Sequence, residues 1–198
     1  MSEPTFKSIF GENWKNLPPV MVKHYANRPY SNDTHKVTGV LDVSCKAPLQ
    51  WIAPLMKLLG QIPAQNEKDV PVEVLFQSEE TSAAFHFVRT FNFKKDAPYI
   101  FHSRMLQTQG NEVIEIMRFH LCWRLTYHWE NDRVILKHKG YGLYLWDKVI
   151  PLPLTMILGK GYAEEVAVND TTFDMFTHIT HPLWGKIYEY RGRFEVVE

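Results

Sequence analysis

The sequence predicts an α+β domain built on a strongly curved antiparallel β-sheet or β-barrel-like fold. It reads as about eight or nine strands, with an N-terminal helix and two short apolar helical insertions. Three observations carry this reading. From residue 35 onward the hydrophobic period is two over most of the chain. Short turn signals such as Asn131-Asp132 separate the alternating runs. Aromatic residues make up 14% of the 198 residues and fall largely on one face of those runs. Strands this long twist and curl, and closing them into a barrel removes exposed edges.

The elements follow in order. Phe6, Ile9, Phe10, Trp14 and Leu17 recur at helical spacing, with Ser2 or Thr5 as a cap and Pro18-Pro19 as a stop. Val20, Met21, His24 and Tyr25 give a second short helix. In "HKVTGVLDVSC" Val37, Leu41, Val43 and Cys45 share a face, and "VPVEVLF" alternates in the same way. "SAAFHFVRTFNF" places Phe85, Phe87, Phe91 and Phe93 on one side. "VIEIMRFHLCWRLTYHW" reads as one long strand with Val113, Met117, Phe119, Leu121, Trp123, Leu125, Tyr127 and Trp129 in register. A hairpin at Asn131-Asp132 leads to "RVILKHKGYGLYLW", where Gly140 and Gly142 mark a bulge or close packing. Strands around 164–168 and 172–180 follow, and 185–197 is the last. The segments 47–63 and 150–161 each start near Pro-Leu and run apolar to a glycine. A helix apolar all round must be enclosed or face a ligand or partner. Each segment is therefore a barrel-end plug, a lid or a contact surface.

Bulk properties exclude several classes. The length suits a single domain, 1–198. Lys plus Arg and Asp plus Glu are both 22, so no global field favours nucleic acid. Only Cys45 and Cys122 are present, which argues against a disulfide framework and for a reducing compartment. The N-terminus has no signal-peptide pattern, and no stretch suits a membrane span, so a cytoplasmic, soluble protein without a transmembrane segment is expected. There is no phosphate-binding glycine motif, no GxSxG elbow and no HExxH or cysteine cluster. No cofactor, no metal and no catalytic residue is therefore assigned, and the chain reads more as a non-catalytic protein than as an enzyme.

Two charges interrupt apolar faces. Arg89 falls in register with Phe85, Phe87, Phe91 and Phe93; Glu115 falls in register with Val113 and Met117. Unpaired in a core, either costs several kcal/mol, so each must find the other, a ligand or water. Glu165, after a Gly-Lys-Gly turn, is a further carboxylate of this kind. Trp123 on the same long apolar face and Tyr190 on the last strand complete the candidate ligand-binding set with Arg118.

The run "PLP" (151–153), Glu164 or Glu165, "FDMF" (173–176), "PLWG" (182–185) and "YEYRGRF" (188–194) resembles the domain of unknown function 4166 family. "FGENWKNLPPVMVKHY" (10–25), "GQIPAQNEKDVPVEV" (60–74), "FVRTFNF" (87–93) and "EIMRF" (115–119) extend the resemblance over nearly the whole chain. The resemblance implies a module found alone, as expected here, or fused behind dehydrogenase-like domains of the saccharopine dehydrogenase type, with no reaction established for the module itself. Family-pattern positions are Arg89, Glu115, Arg118, Pro151, Pro153, Phe173, Gly185, Tyr190 and Gly192. Phe87 stands where the pattern has Trp, and "EIMRF" replaces a contiguous Glu-Arg-Phe.

The leading expectation is a module that binds a hydrophobic or lipid-like small molecule in a sheet-lined cavity, with Arg89 and Glu115 as polar anchors. The alternative is an interaction domain for a dehydrogenase-like partner or for self-association. A third reading is an enzyme using Glu115, Arg118 and a histidine.

Overall fold

A computed structural model describes residues 2–197. Its eleven strands form one antiparallel sheet: β1 Thr34–Cys45, β2 Glu67–Ser78, β3 Phe85–Phe91, β4 Tyr99–Gln109, β5 Glu112–Ile116, β6 Leu121–Glu130, β7 Arg133–Leu145, β8 Lys148–Leu152, β9 Lys160–Ala167, β10 Thr172–His181 and β11 Gly185–Val197. The order is β6-β5-β4-β3-β2-β1-β11-β10-β9-β7, and β7 pairs back onto β6. Ten strands thus close a barrel. The eleventh, β8, continues the pairing of β7 beyond β9.

The barrel class agrees with the alternation, and the strand count is higher than read from sequence. The stretch 113–129 is two strands joined by a turn, with Glu115 opposite Trp123. Phe119 and His120 take positive φ there, at 56° and 61°. The turn preserves the phase of the alternation, so Glu115, Met117, Leu121 and Trp123 all face inward and mimic one long strand. Asn131 and Asp132 take positive φ of 53° and 57°, as a tight hairpin turn needs. Gly142 lets Val149 and the Sγ of Cys122 approach where a Cβ would stand.

The helices are short. α1 (Thr5–Phe10), a 3-10 turn (Gly11–Asn16) and α2 (Pro19–His24) cover one end of the barrel; α1 has no side-chain cap, since Pro4 holds the N-cap position. Pro18-Pro19 separates them as expected. The first apolar insertion forms α3 (Ala47–Trp51) and α4 (Ala53–Leu58), broken just before Pro54; the second forms α5 (Thr155–Leu158). Both lie at the opposite end, with the turns 117–120 and 182–184.

The inner face is one continuous core containing Val37, Leu41, Val72, Val74, Phe91, Phe101, Phe173, Tyr188 and Phe194. Phe6, Phe10, Tyr25 and Tyr127 form an aromatic cluster that seats the N-terminal helices, with centroids 4.5 to 6.4 Å apart. Outside the barrel Ile114, Ile116 and Cys122 form a second small cluster under Tyr144 and Val149 of the β7–β8 hairpin. Burial pushes both cysteine thiols up to about 11, so neither is a reactive thiolate.

Strands β1 and β11 approach each other closely where Gly192 faces Leu41 and Gly39 faces Phe194. A Cβ on Gly192 would collide with the carbonyl oxygen of Val40, backbone that cannot yield cheaply. Gly192→Ala should therefore destabilise the fold by about 1–3 kcal/mol or more, read as a lower urea midpoint. Gly161→Ala, whose Cβ would meet only His138 at 3.9 Å, should be close to neutral in the same measurement.

Candidate functional site

The inward-facing charges meet as the register dictates. Arg89 lies opposite Phe101 on β4, Ser103 one step away, and Glu115 on the next strand. The Arg89 guanidinium donates to a Glu115 carboxylate oxygen and to Ser103 Oγ at 2.8 Å; Ser103 Oγ donates to the same carboxylate oxygen at 2.7 Å. The guanidinium carbon stands 3.8 Å from the centre of the Phe87 ring and 3.7 Å from that of Phe101. Cation–π contact is worth about 0.5–2 kcal/mol. Desolvating the charge costs several kcal/mol, so the carboxylate is what makes this arginine tolerable.

A second buried carboxylate, Glu165 on β9, accepts a 2.5 Å hydrogen bond from Tyr25 Oη and lies 3.6 Å from His24 Nε2. Burial, then the Glu165 charge, holds the Tyr25 phenol well above its ordinary range, so it remains a donor. Glu165 thereby fastens α2 into the barrel mouth.

Two cavities adjoin these groups. One, of about 30 Å³, lies among His24, Phe76, Glu165, Phe173 and Phe194. The other, of about 60 Å³, lies among Glu115, Trp123, Tyr127, Leu136, Thr177 and Tyr188. Phe87, Arg89, Met175 and Tyr190 border both. In the larger one Arg89 Nε, Trp123 Nε1 and Tyr188 Oη are buried without a hydrogen-bond partner in the protein, and Thr177 lies beside Tyr190 on the paired strand. Such atoms each cost about 1–3 kcal/mol when left unsatisfied.

Of the sequence-derived set, Arg89, Glu115, Trp123 and Tyr190 border the larger cavity and Glu165 the smaller. Arg118 is exposed on the 118–120 turn, against Gly60. Ser103, Thr177, Tyr188 and the His24–Tyr25 pair were not anticipated as polar members. Thr177 and Tyr188 do lie at inward positions of the alternation and could have been found that way; Tyr25 comes from a different element.

A larger concavity lies elsewhere. It is an open groove of about 590 Å³ on the outer face of β1, β9, β10 and β11. Several of its charges are occupied: Arg193 pairs with Asp174 at 2.6 Å, and Glu164 accepts from Arg133 at 3.0 Å and from Tyr162 at 2.8 Å. It lacks the enclosure that makes unpaired polar atoms costly, so the interior is the better candidate. Among the described residues no group of three or more His, Cys, Asp or Glu is placed to hold a metal ion, and no helix is long and apolar enough to cross a membrane.

Among protein families, DUF4166, described as a domain of unknown function, matches residues 17–194. A comparison with curated proteins returns no match.

Removing one partner of the buried pair should be costly. Glu115→Leu alone should destabilise by about 3–5 kcal/mol, whereas Arg89→Met with Glu115→Leu should recover most of that loss, as measured by chemical denaturation. Among five histidines held below their ordinary value, two are shifted furthest. Burial, then His24, pushes His35 down to about 4; burial, then Lys160, pushes His138 down to about 4. Both folded values lie below the ordinary 6.5, so the unfolded chain binds more protons between these limits. Stability should therefore fall as pH drops from 6.5 towards 4, and Gln at both positions should flatten that slope in urea titrations.

Proposed function

The chain belongs to the DUF4166 family, and we propose that it is a non-catalytic binding module whose barrel takes up a small, mainly apolar molecule carrying a hydrogen-bond acceptor. The observation that carries this is the set of unpartnered polar atoms on the larger cavity: Arg89 Nε, Trp123 Nε1 and Tyr188 Oη. The arginine and indole nitrogens only donate. Burial, first among the causes, holds the Tyr188 phenol well above its ordinary range, so it too keeps its proton. A carbonyl or hydroxyl oxygen on an apolar body answers that donor set, while Leu125, Leu136 and Ile179 receive the hydrocarbon part. The Arg89 charge is already neutralised by Glu115, which favours an uncharged ligand.

Size narrows the class. Space of about 60 Å³ holds a few waters and falls below the roughly 300–1,000 Å³ of drug-sized sites. A ligand longer than a few carbons enters by displacing Met175, a flexible side chain that borders both cavities. Moving it would join the two. An acid–base role for Glu115 with Arg118 has less support, because the carboxylate is engaged by Arg89 and Ser103 while Arg118 faces solvent.

Titration with a medium-chain methyl ketone, followed by amide and indole N–H resonances, tests the reading. The Trp123 indole and Arg89 Nε–H signals should shift saturably. Trp123→Phe and Tyr188→Phe should each weaken binding by roughly tenfold while leaving the fold intact. Indole and guanidinium signals that stay fixed at saturating ketone would reject the proposal.

A further inference from the structure

The end of the barrel opposite the N-terminal helices carries apolar side chains that the core does not use. Trp51 and Leu183 are each 76% exposed, and Leu55, Leu58, Met156, Ile157 and Trp184 are exposed as well. Single exposed apolar residues are ordinary, but a cluster is not. These seven sit on three neighbouring segments. α3–α4 leaves β1, the 182–184 turn joins β10 to β11, and α5 enters β9; these strands are adjacent in the ring. Lys46 N–H bonds to the Ile187 carbonyl at 2.8 Å, and Gly159 packs against Thr180, which fixes the flanking segments to the central turn.

Charge on this surface is one-sided. Residues 46–60, 153–160 and 182–186 contain Lys46, Lys57, Lys160 and Lys186 and no Asp or Glu. Lys186 is paired with Glu189. Lys46, Lys57 and Lys160 form no ion pair among the described residues, whereas at the other end Lys7, Lys15 and Arg28 are matched by Glu3, Glu12 and Asp33. These three segments thus carry positive charge without acidic residues of their own beside their apolar side chains.

We propose that this end is a docking surface for an anionic lipid bilayer. Trp51 and Trp184 would sit at headgroup depth, Leu55, Leu58, Met156, Ile157 and Leu183 would enter the acyl boundary, and the lysines would meet lipid phosphates. Tryptophan, aliphatic and lysine residues without acids are the composition of interfacial segments. A second copy of the chain fits poorly, because the surface would set its own lysines against each other. A protein partner fits less well too: protein interfaces are poor in lysine, and these segments hold four lysines. The surface is separate from the interior cavities, so this inference stands or falls independently of the ligand reading.

Vesicle flotation of the purified chain decides it, using phosphatidylcholine vesicles with and without phosphatidylserine. The protein should float with the anionic vesicles, release at high salt, and show a blue-shifted tryptophan emission on binding. Lys57→Glu with Lys160→Glu should lower partitioning at least roughly tenfold, and Trp51→Ala with Trp184→Ala should abolish the emission shift. Both pairs lie at exposed positions, and unchanged circular dichroism confirms that they fold. Absence of flotation on anionic vesicles overturns the proposal. So does concentration-dependent self-association in sedimentation that the tryptophan pair removes, or flotation that the lysine pair leaves unchanged.

Discussion

The governing constraint is the width of the ring. Barrel diameter grows roughly linearly with strand number, and about eight strands already leave a space that side chains only just fill. Closing ten strands creates an interior that aliphatic residues alone would leave hollow. The sequence meets this with large rings: Phe91, Phe101, Phe173 and Tyr188 are almost completely buried. It also inserts α2 and its aromatic neighbours into one mouth. Buried charges follow from the same geometry. Three adjacent strands bring Arg89, Ser103 and Glu115 within reach of one another, and the remaining void collects the polar atoms left over.

That constraint explains what was legible in the sequence. Alternation reveals which residues face inward, and Arg89 and Glu115 stand out because each breaks an apolar face. Strand number was harder. The turn at 118–120 keeps the inward phase from Met117 to Leu121, so two strands read as one. β4 presents Tyr99, Phe101, Ser103 and Met105 inward, and the serine that completes the buried network also interrupts the apolar pattern that would have announced the strand. Gly192 and Gly142 were visible as glycines, but only the register shows which backbone they let approach.

Contacts between distant segments were the least legible. Glu165 meets a tyrosine 140 residues away, and no periodicity within either segment encodes that partner. The exposed apolar segments posed the opposite problem. Their composition is plain in the sequence, yet plug, lid and contact surface share it. Only exposure separates these: Leu49 and Met56 turn inward, whereas Trp51, Leu55 and Leu58 turn out. The same short helices therefore seal the barrel on one side and offer a surface on the other.

The pairing of β1 with β11 has a temporal meaning. The first strand finds one of its two neighbours only in the last, ten residue pairs long from Lys36↔Val197 to Cys45↔Tyr188. During synthesis the N-terminal segment leaves the ribosome first, with Phe6, Phe10 and Tyr25 bare and Glu165 not yet made. Contacts of such sequence separation close slowly, and until they close the nascent chain carries an open strand edge beside an unseated aromatic plug. The ring thus makes folding wait for the C-terminal strand, and the cost of that delay falls on the nascent N-terminus.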